Sequence, residues 1–153
     1  MAANRKYASL DIGTVRVGVA LSDPETGIAL PLTTVYLKES RDPYAEIEAL
    51  VRDNEVTHVV VGWPLELDGT EGPAIRRTKQ FLARLRQQCP QIKLIPQDER
   101  LTSCAAENAL QTLDVKGSDK KHLVDAMAAA LILQTYLDTK GSVSKRPGQT
   151  PGL

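Results

Sequence analysis

The run Thr57-His58-Val59-Val60-Val61-Gly62 constrains the fold more than any other stretch of the chain. It is short, unbroken and apolar, with no polar face to turn toward water, which is the pattern of a parallel strand buried on both sides. Such a strand needs helices above and below the sheet that contains it.

The flanking segments supply that sheet. Tyr7 to Asp11 and Arg16 to Leu21 read as strands separated by Gly13-Thr14. The turn Asp23-Pro24-Glu25-Thr26-Gly27 leads into a third extended segment, Ile28 to Leu37, which Pro31 bends or confines to an edge. Strands joined by short turns form an antiparallel meander. Asp42 and Pro43 open a helix as N-cap and first-turn residue, with Ile47, Leu50 and Val51 as its apolar stripe. Beyond the valine run, Gly62 to Gly72 is a glycine-punctuated loop. Pro73 then begins a helix to about Gln88 carrying Ile75, Phe81, Leu82 and Leu85. Ile92 to Gln97 is a fifth strand, and helices are expected over Ser103 to Leu113 and Lys120 to Thr139. On the last of these, Val124, Met127, Ala128, Leu131 and Thr135 recur at helical spacing and mark the expected core face.

This order predicts an α/β fold: a mixed five-stranded sheet, with an antiparallel three-strand meander plus two parallel strands, and helices on both faces. It is the architecture of the ribonuclease H-like superfamily, with the first strand central. Residues 1–140 are expected to form one domain and 141–153, rich in Gly, Ser, Pro and Lys, a disordered tail.

Composition narrows the function classes. The 153 residues suffice for one domain with a sizeable core. The 19 basic side chains are balanced by 19 acidic ones, so an anionic partner has to be held by a local patch. Cys89 and Cys104 match no metal-ligand or redox spacing and read as buried apolar residues. No stretch approaches the ~20 apolar residues of a membrane span, and the N-terminus lacks a signal-peptide core. A cytoplasmic protein without a membrane partner is expected.

Against that background three carboxylates stand out because folding does not require them. Asp11 ends an apolar strand and is followed by Ile12-Gly13-Thr14. Glu99 closes the fifth strand. Asp125 interrupts an Ala- and Leu-rich helix. Strand ends lie near one another, and a helix packed across them can bring in a third side chain. Buried carboxylates gathered in this way repel unless a cation sits among them. Hard ions such as Mg²⁺ or Mn²⁺ are the oxygen-seeking candidates. Asp98 and Glu99 point to opposite faces, so one faces the site while the other pairs with Arg100 or caps the helix near Ser103. The competing readings are a turn stabilised by Asp11, helix capping by the Asp98-Glu99 pair, and a solvated Asp125 favoured by the helix dipole.

Arg16 is placed to contact phosphate oxygens in a bidentate way. Lys116, Lys120, Lys121 and His122 form the most concentrated basic run outside the tail and could track a phosphate backbone; a solvated loop is the alternative. Arg76, Arg77, Lys79, Arg84 and Arg86 read as a solvated helix face. Trp63 stacks on a base or packs in the core, Gly18 reads as a packing residue, and His58 as structural.

Four segments carry a resemblance to a known family: Asp11-Ile-Gly-Thr-Val-Arg-Val-Gly-Val-Ala-Leu-Ser-Asp23, Val61-Gly-Trp-Pro-Leu-Glu-Leu-Asp-Gly-Thr-Glu-Gly72, Asp98-Glu-Arg-Leu-Thr-Ser103 and Lys120-Lys-His-Leu-Val-Asp-Ala-Met-Ala-Ala129. In this order they resemble the YqgF family, also called RuvX, of Holliday junction resolvases or ribosomal RNA precursor nucleases. The resemblance covers about residues 7 to 139. It implies a ribonuclease H-like fold related to RuvC resolvases and acidic catalytic residues at Asp11, Glu99 and Asp125.

The expected activity is therefore metal-dependent hydrolysis of phosphodiester bonds in structured nucleic acid, either a ribosomal RNA precursor at the 16S 5′ end or branched DNA. Asp11, Glu99 and Asp125 would hold one or two Mg²⁺ or Mn²⁺ ions, with Arg16, Arg100, Lys116, Lys120 and Lys121 as nucleic-acid-binding residues. Symmetric junction cleavage would favour a homodimer. Two rivals remain. One is a non-catalytic RNA- or protein-binding module of the same fold. The other is a fragment of an actin-like kinase, whose Asp-x-Gly-Thr hairpin binds phosphate but which needs two such domains.

Overall fold

The computed structural model describes residues 5–99 and the helix 117–142, with side chains in that helix defined for 124–139. Five strands form one sheet: β1 (Tyr7–Ile12), β2 (Arg16–Ser22), β3 (Ala29–Tyr36), β4 (His58–Trp63) and β5 (Lys93–Asp98). Three described helices accompany them: α1 (Pro43–Asp53), α2 (Pro73–Gln88) and α3 (Gly117–Ser142). The strand order is β3-β2-β1-β4-β5. β1 pairs antiparallel with β2, and β2 with β3, whereas β1–β4 and β4–β5 are parallel. The mixed sheet expected from the sequence is therefore present, with β1 at its centre. The segment Ser103 to Leu113, expected as a helix, lies outside the described residues, as does the expected tail 141–153 apart from Gly141 and Ser142, which continue α3 instead; α3 also begins at Gly117, before the expected start at Lys120.

Alternation along the strands divides the interior into two layers. Ala8, Leu10 and Ile12 of β1, Val17 and Val19 of β2, and Val59, Val61 and Trp63 of β4 pack with Ile47 and Val51 of α1 and Ile75, Phe81, Leu82 and Leu85 of α2. On the other face Tyr7 and Val60 meet Ile132 and Leu133 of α3, and Ala20 meets Ala129 and Ala130. Val59, Val60 and Val61 are all fully buried, as a strand covered from both sides requires.

Local chemistry fixes the element ends. The Asp42 carboxylate accepts from the Tyr44 and Ala45 amides at the start of α1, and Pro43 occupies its first turn. β3 is the edge strand that Pro31 predicts. Its register with β2 slips between Val19 and Ala20, whose partners are Thr33 and Pro31, leaving Leu32 as the extra residue of a bulge. Trp63 is 1% exposed at the end of β4, which assigns it to the core and removes it as a base-stacking platform.

The inward face of α3 differs from the one its periodicity predicts. Ala126, Ala129, Ala130, Ile132 and Leu133 are buried, whereas Val124 is 37% exposed. This stretch is apolar nearly all round, so spacing alone selects no face. Closeness of approach selects it instead. A Cβ on Gly18 would collide with the backbone carbonyl of Asp125, and Ser9, fully buried, donates from Oγ to the Ala129 carbonyl at 2.5 Å. Small residues on β1 and β2 thus admit the alanine face of the helix backbone, and Asp125 comes with it.

Gly18→Ala is expected to destabilise the protein by about 2–3 kcal/mol, because helix and strand backbones must separate to admit the methyl group. Urea denaturation compared with a Gly27→Ala control would check it. Gly27 has open space around its Cβ position but a φ of +72°, so its own cost reports backbone strain without crowding.

Candidate active site

Asp11 lies one residue from the C-terminal end of β1, on the face covered by α3, because it shares side-chain parity with Tyr7 and Ser9. Its partner across the antiparallel ladder is Gly18, the residue over which the Asp125 backbone passes. Asp125 is thereby carried to the rim beside Asp11. The parallel neighbour β4 contributes Gly62, where a Cβ would collide with Oε2 of Glu99 and would lie 2.8 Å from Cδ1 of Ile132. Glu99 therefore lies over Gly62 on the α3 side. Asp98, which pairs with Trp63 in the ladder, has the opposite parity. Of the two neighbouring acids, Glu99 is the one on the Asp11 face.

Electrostatics ties these positions together. Burial, and then the negative charge of Asp125, push the Asp11 carboxyl up from 3.8 to about 6. Burial, then Asp11 and Asp98, push Glu99 up from 4.5 to about 7. Each shift disfavours the charged form, as expected when carboxylates share a poorly solvated rim without enough cations. Nε of Arg16 donates to Oδ2 of Asp125 at 2.6 Å, with the arginine side chain two-fifths exposed. Arg16 comes from β2 on the same face as Gly18 and Ala20. It accordingly holds a carboxylate of the cluster directly, where the sequence suggested only a phosphate contact.

Electrostatic coupling links Asp11 to Asp125 and Glu99 to Asp11, and Arg16 pairs with Asp125. Arg100 and Lys116 lie outside the described residues, and Lys120 and Lys121 are placed only as backbone in the first turn of α3. Ser9, Gly18 and Gly62 are the positions whose contribution the sequence understated. Ser9 and Gly18 could have been found from side-chain parity, since a serine two residues before Asp11 and a glycine opposite it lie on the same face. Gly62 ends the valine run and reads as the start of a loop until the placement of Glu99 is known.

Among the described residues no three His, Cys, Asp or Glu side chains are grouped as a ready cage for a metal ion. Asp125 is engaged with Arg16 instead. The donor set still fits a hard divalent cation. It is all carboxylate oxygen, and the pKa values of two of its members are raised by burial and by neighbouring negative charge.

The strand order β3-β2-β1-β4-β5, with an antiparallel meander, two parallel strands and helices on both faces, is a ribonuclease H-like α/β fold. Two solved resolvase structures share the fold at low identity. One is Thermus thermophilus RuvC in complex with a Holliday junction substrate, with a TM-score of 0.53 and 13% identity over 90% of this chain and 96% of that one. The other is fowlpox virus resolvase with Holliday junction DNA, with a TM-score of 0.56 and 10% identity over 88% and 98% of the two chains. Residues 5–139 match the family RuvX, described as Holliday junction resolvase, and the chain belongs to that family. Relatives named "Putative pre-16S rRNA nuclease" include those of Fusobacterium nucleatum, 38% identical over 89% of this chain and 99% of that protein, and Acetivibrio thermocellus, 40% identical over 90% and 99%. The relative from Shouchella clausii carries the same name and is 41% identical over 87% of this chain and 94% of its own length. No described helix is long and apolar enough to cross a membrane.

The raised carboxyls predict an unusual pH response. A group whose folded pKa lies above its unfolded value favours folding while protonated. For Asp11 that contribution is full below about 3.8 and is lost as pH rises through about 6; for Glu99 the window runs from 4.5 to about 7. In the absence of divalent ions, Asp11→Asn is expected to raise Tm by a few degrees at pH 8 and by much less at pH 4.5, as read by thermal melts across that range. An equal effect at both pH values would show that the Asp11 charge is not strained.

Proposed function

We propose that this protein is a divalent-metal-dependent nuclease that hydrolyses phosphodiester bonds, with a ribosomal RNA precursor at the 16S 5′ end as its substrate. The observation that carries this reading is the electrostatic coupling of Asp11 to Asp125 and of Glu99 to Asp11 on one rim of the sheet. The names of the curated relatives support the choice of substrate.

In this reading Asp11, Glu99 and Asp125 hold Mg²⁺ or Mn²⁺. Such an ion, when bound, supplies Lewis-acid polarisation of the phosphate and lowers the pKa of water. Asp11 is the fixed member, anchored in the central strand. Asp125 is oriented by Arg16, which uses one N–H of its five for that bond and keeps the other four for phosphate oxygens. Glu99 completes the rim above Gly62. The absence of side chains at Gly18 and Gly62 makes room for the α3 backbone at Asp125 and for the Glu99 carboxylate. Lys120 and Lys121, in the turn of α3 that precedes Asp125, are positioned in sequence to follow the strand, and Arg100 follows Glu99 directly.

The alternative substrate, a four-way DNA junction, is favoured by the description of the matched family. One assay separates the two. Wild type and Asp125→Asn are incubated with Mn²⁺ and either a single-stranded RNA spanning a ribosomal precursor end or a mobile four-way DNA junction. RNA cleavage, reduced ~100-fold or more in the variant, is the expected result. Paired symmetric nicks in the junction would make the protein a resolvase. Metal-independent binding without cleavage of either would make it a binding module. The variant should remain folded, because the half-exposed pair with Arg16 contributes no more than about 1 kcal/mol.

Metal occupancy has its own readout. Mn²⁺ is expected to raise the Tm of wild type more at pH 8 than at pH 5.5, since protons compete for the same carboxylates, and to do little for Asp11→Asn. A Tm rise independent of pH and of Asp11 would place the ion elsewhere.

A further inference from the structure

On the face of the sheet opposite the carboxylates, a cleft of about 540 Å³ opens between the Ile12-Gly13-Thr14 turn and α2. Its floor is apolar, made by Ile12, Leu37 and Phe81, and Tyr44 of α1 closes one side. The Tyr44 and Phe81 rings lie 4.8 Å apart at 43°. Arg77, Gln80 and Arg84 of α2 stand along the rim, all three exposed, and the lining includes no acidic residue. Arg84 lies over the Tyr44 ring, 5.3 Å from its centroid.

We infer that this cleft is a second nucleic-acid subsite, which takes one nucleotide of a single strand as that strand leaves the carboxylate rim. The inference rests on the nuclease reading above. An aromatic and aliphatic floor under a rim of unopposed guanidinium groups matches a nucleotide unit, whose base is flat and apolar on its faces and whose phosphate is anionic. The volume suits a ligand of that size. Continuity with the rim follows from the strand itself. Asp11 points to the α3 face and Ile12 to the other, and the turn at Gly13 lies two residues on, within ~7 Å along the chain. A polynucleotide crossing the C-terminal edge of β1 passes from one to the other over Gly13 and Thr14. The turn itself is tight: the Gly13 amide donates to the Arg16 carbonyl at 2.9 Å, and a Cβ at Gly13 would crowd that same oxygen. The basic face of α2, which the sequence suggested was merely solvated, thereby divides into two parts. Arg77 and Arg84 border the cleft, and Arg76 does not.

The test uses full-length protein in EDTA, so that binding is read without cleavage, with 5′-labelled hexauridylate and hexathymidylate as probes. Arg77→Glu and Arg84→Glu are each expected to weaken binding ~10-fold by fluorescence anisotropy and to lower the salt slope by about 0.7 per lost phosphate contact. Arg76→Glu, the same charge change one residue away, should shift affinity less than twofold. Amide shifts on titration should centre on Gly13, Thr14 and Gln80. Equal weakening by all three variants would mean a diffuse basic face and overturn the subsite, as would shifts confined to the carboxylate face. Tighter binding of hexauridylate than of hexathymidylate would assign the cleft to RNA, and the reverse to DNA. Wild-type cleavage in Mn²⁺ separates this inference from the one beneath it. Cleavage with unaltered binding in Arg77→Glu and Arg84→Glu defeats the cleft alone, and variant-sensitive binding without cleavage of any substrate defeats the nuclease reading alone.

Discussion

The arrangement of this molecule depends on how closely α3 lies on the sheet. Helices ordinarily pack against sheets through a layer of branched side chains. Here the part of the helix nearest Asp125 makes the contact through alanines over Gly18 and Ala20, with a buried hydrogen bond from Ser9 to the Ala129 carbonyl, while Ile132 and Leu133 pack on Tyr7 and Val60 farther along. That intimacy has a functional consequence, because a carboxylate as short as aspartate reaches the rim of the central strand only from a helix backbone already in contact with it. Asp125 sits at the point of closest approach. The small residues that look like a gap in the hydrophobic pattern are what allow it to stand beside Asp11.

The charge distribution follows from the same placement. Three acids lie toward one edge of the sheet, where burial and neighbouring negative charge disfavour the charged forms of Asp11 and Glu99. The Asp11 and Glu99 carboxyls are pushed up to about 6 and about 7, and Asp125 pairs with Arg16. Gathering like charges on a partly buried rim costs stability. It is a common way for stability to be conceded at a functional position.

The two faces of the sheet do different work. The α1–α2 layer carries the larger core, in which Trp63, Phe81 and the odd-numbered valines of β4 interlock, and it gives β1 a rigid foundation. The α3 layer is thinner and carries the acids. Because consecutive residues of β1 point to opposite layers, Asp11 and Ile12 connect the acidic rim to the cleft beneath α2 across a single turn.

Much of this was legible in the sequence. The valine run required a doubly covered strand, the turn and proline positions gave the meander and its edge, Asp42-Pro43 and Pro73 placed two helix starts, and the acids stood out as residues that folding had no use for. Period and capping are local properties, and local chemistry determines them. The choice between Asp98 and Glu99, the face that α3 buries, the engagement of Arg16 with Asp125 and the burial of Trp63 were settled only by tertiary structure. Each depends on which residues from distant segments occupy the same few ångströms. A helix apolar all round has no preferred face until glycine and alanine on another element offer one, and an arginine has no assigned partner until packing decides which carboxylate stands next to it.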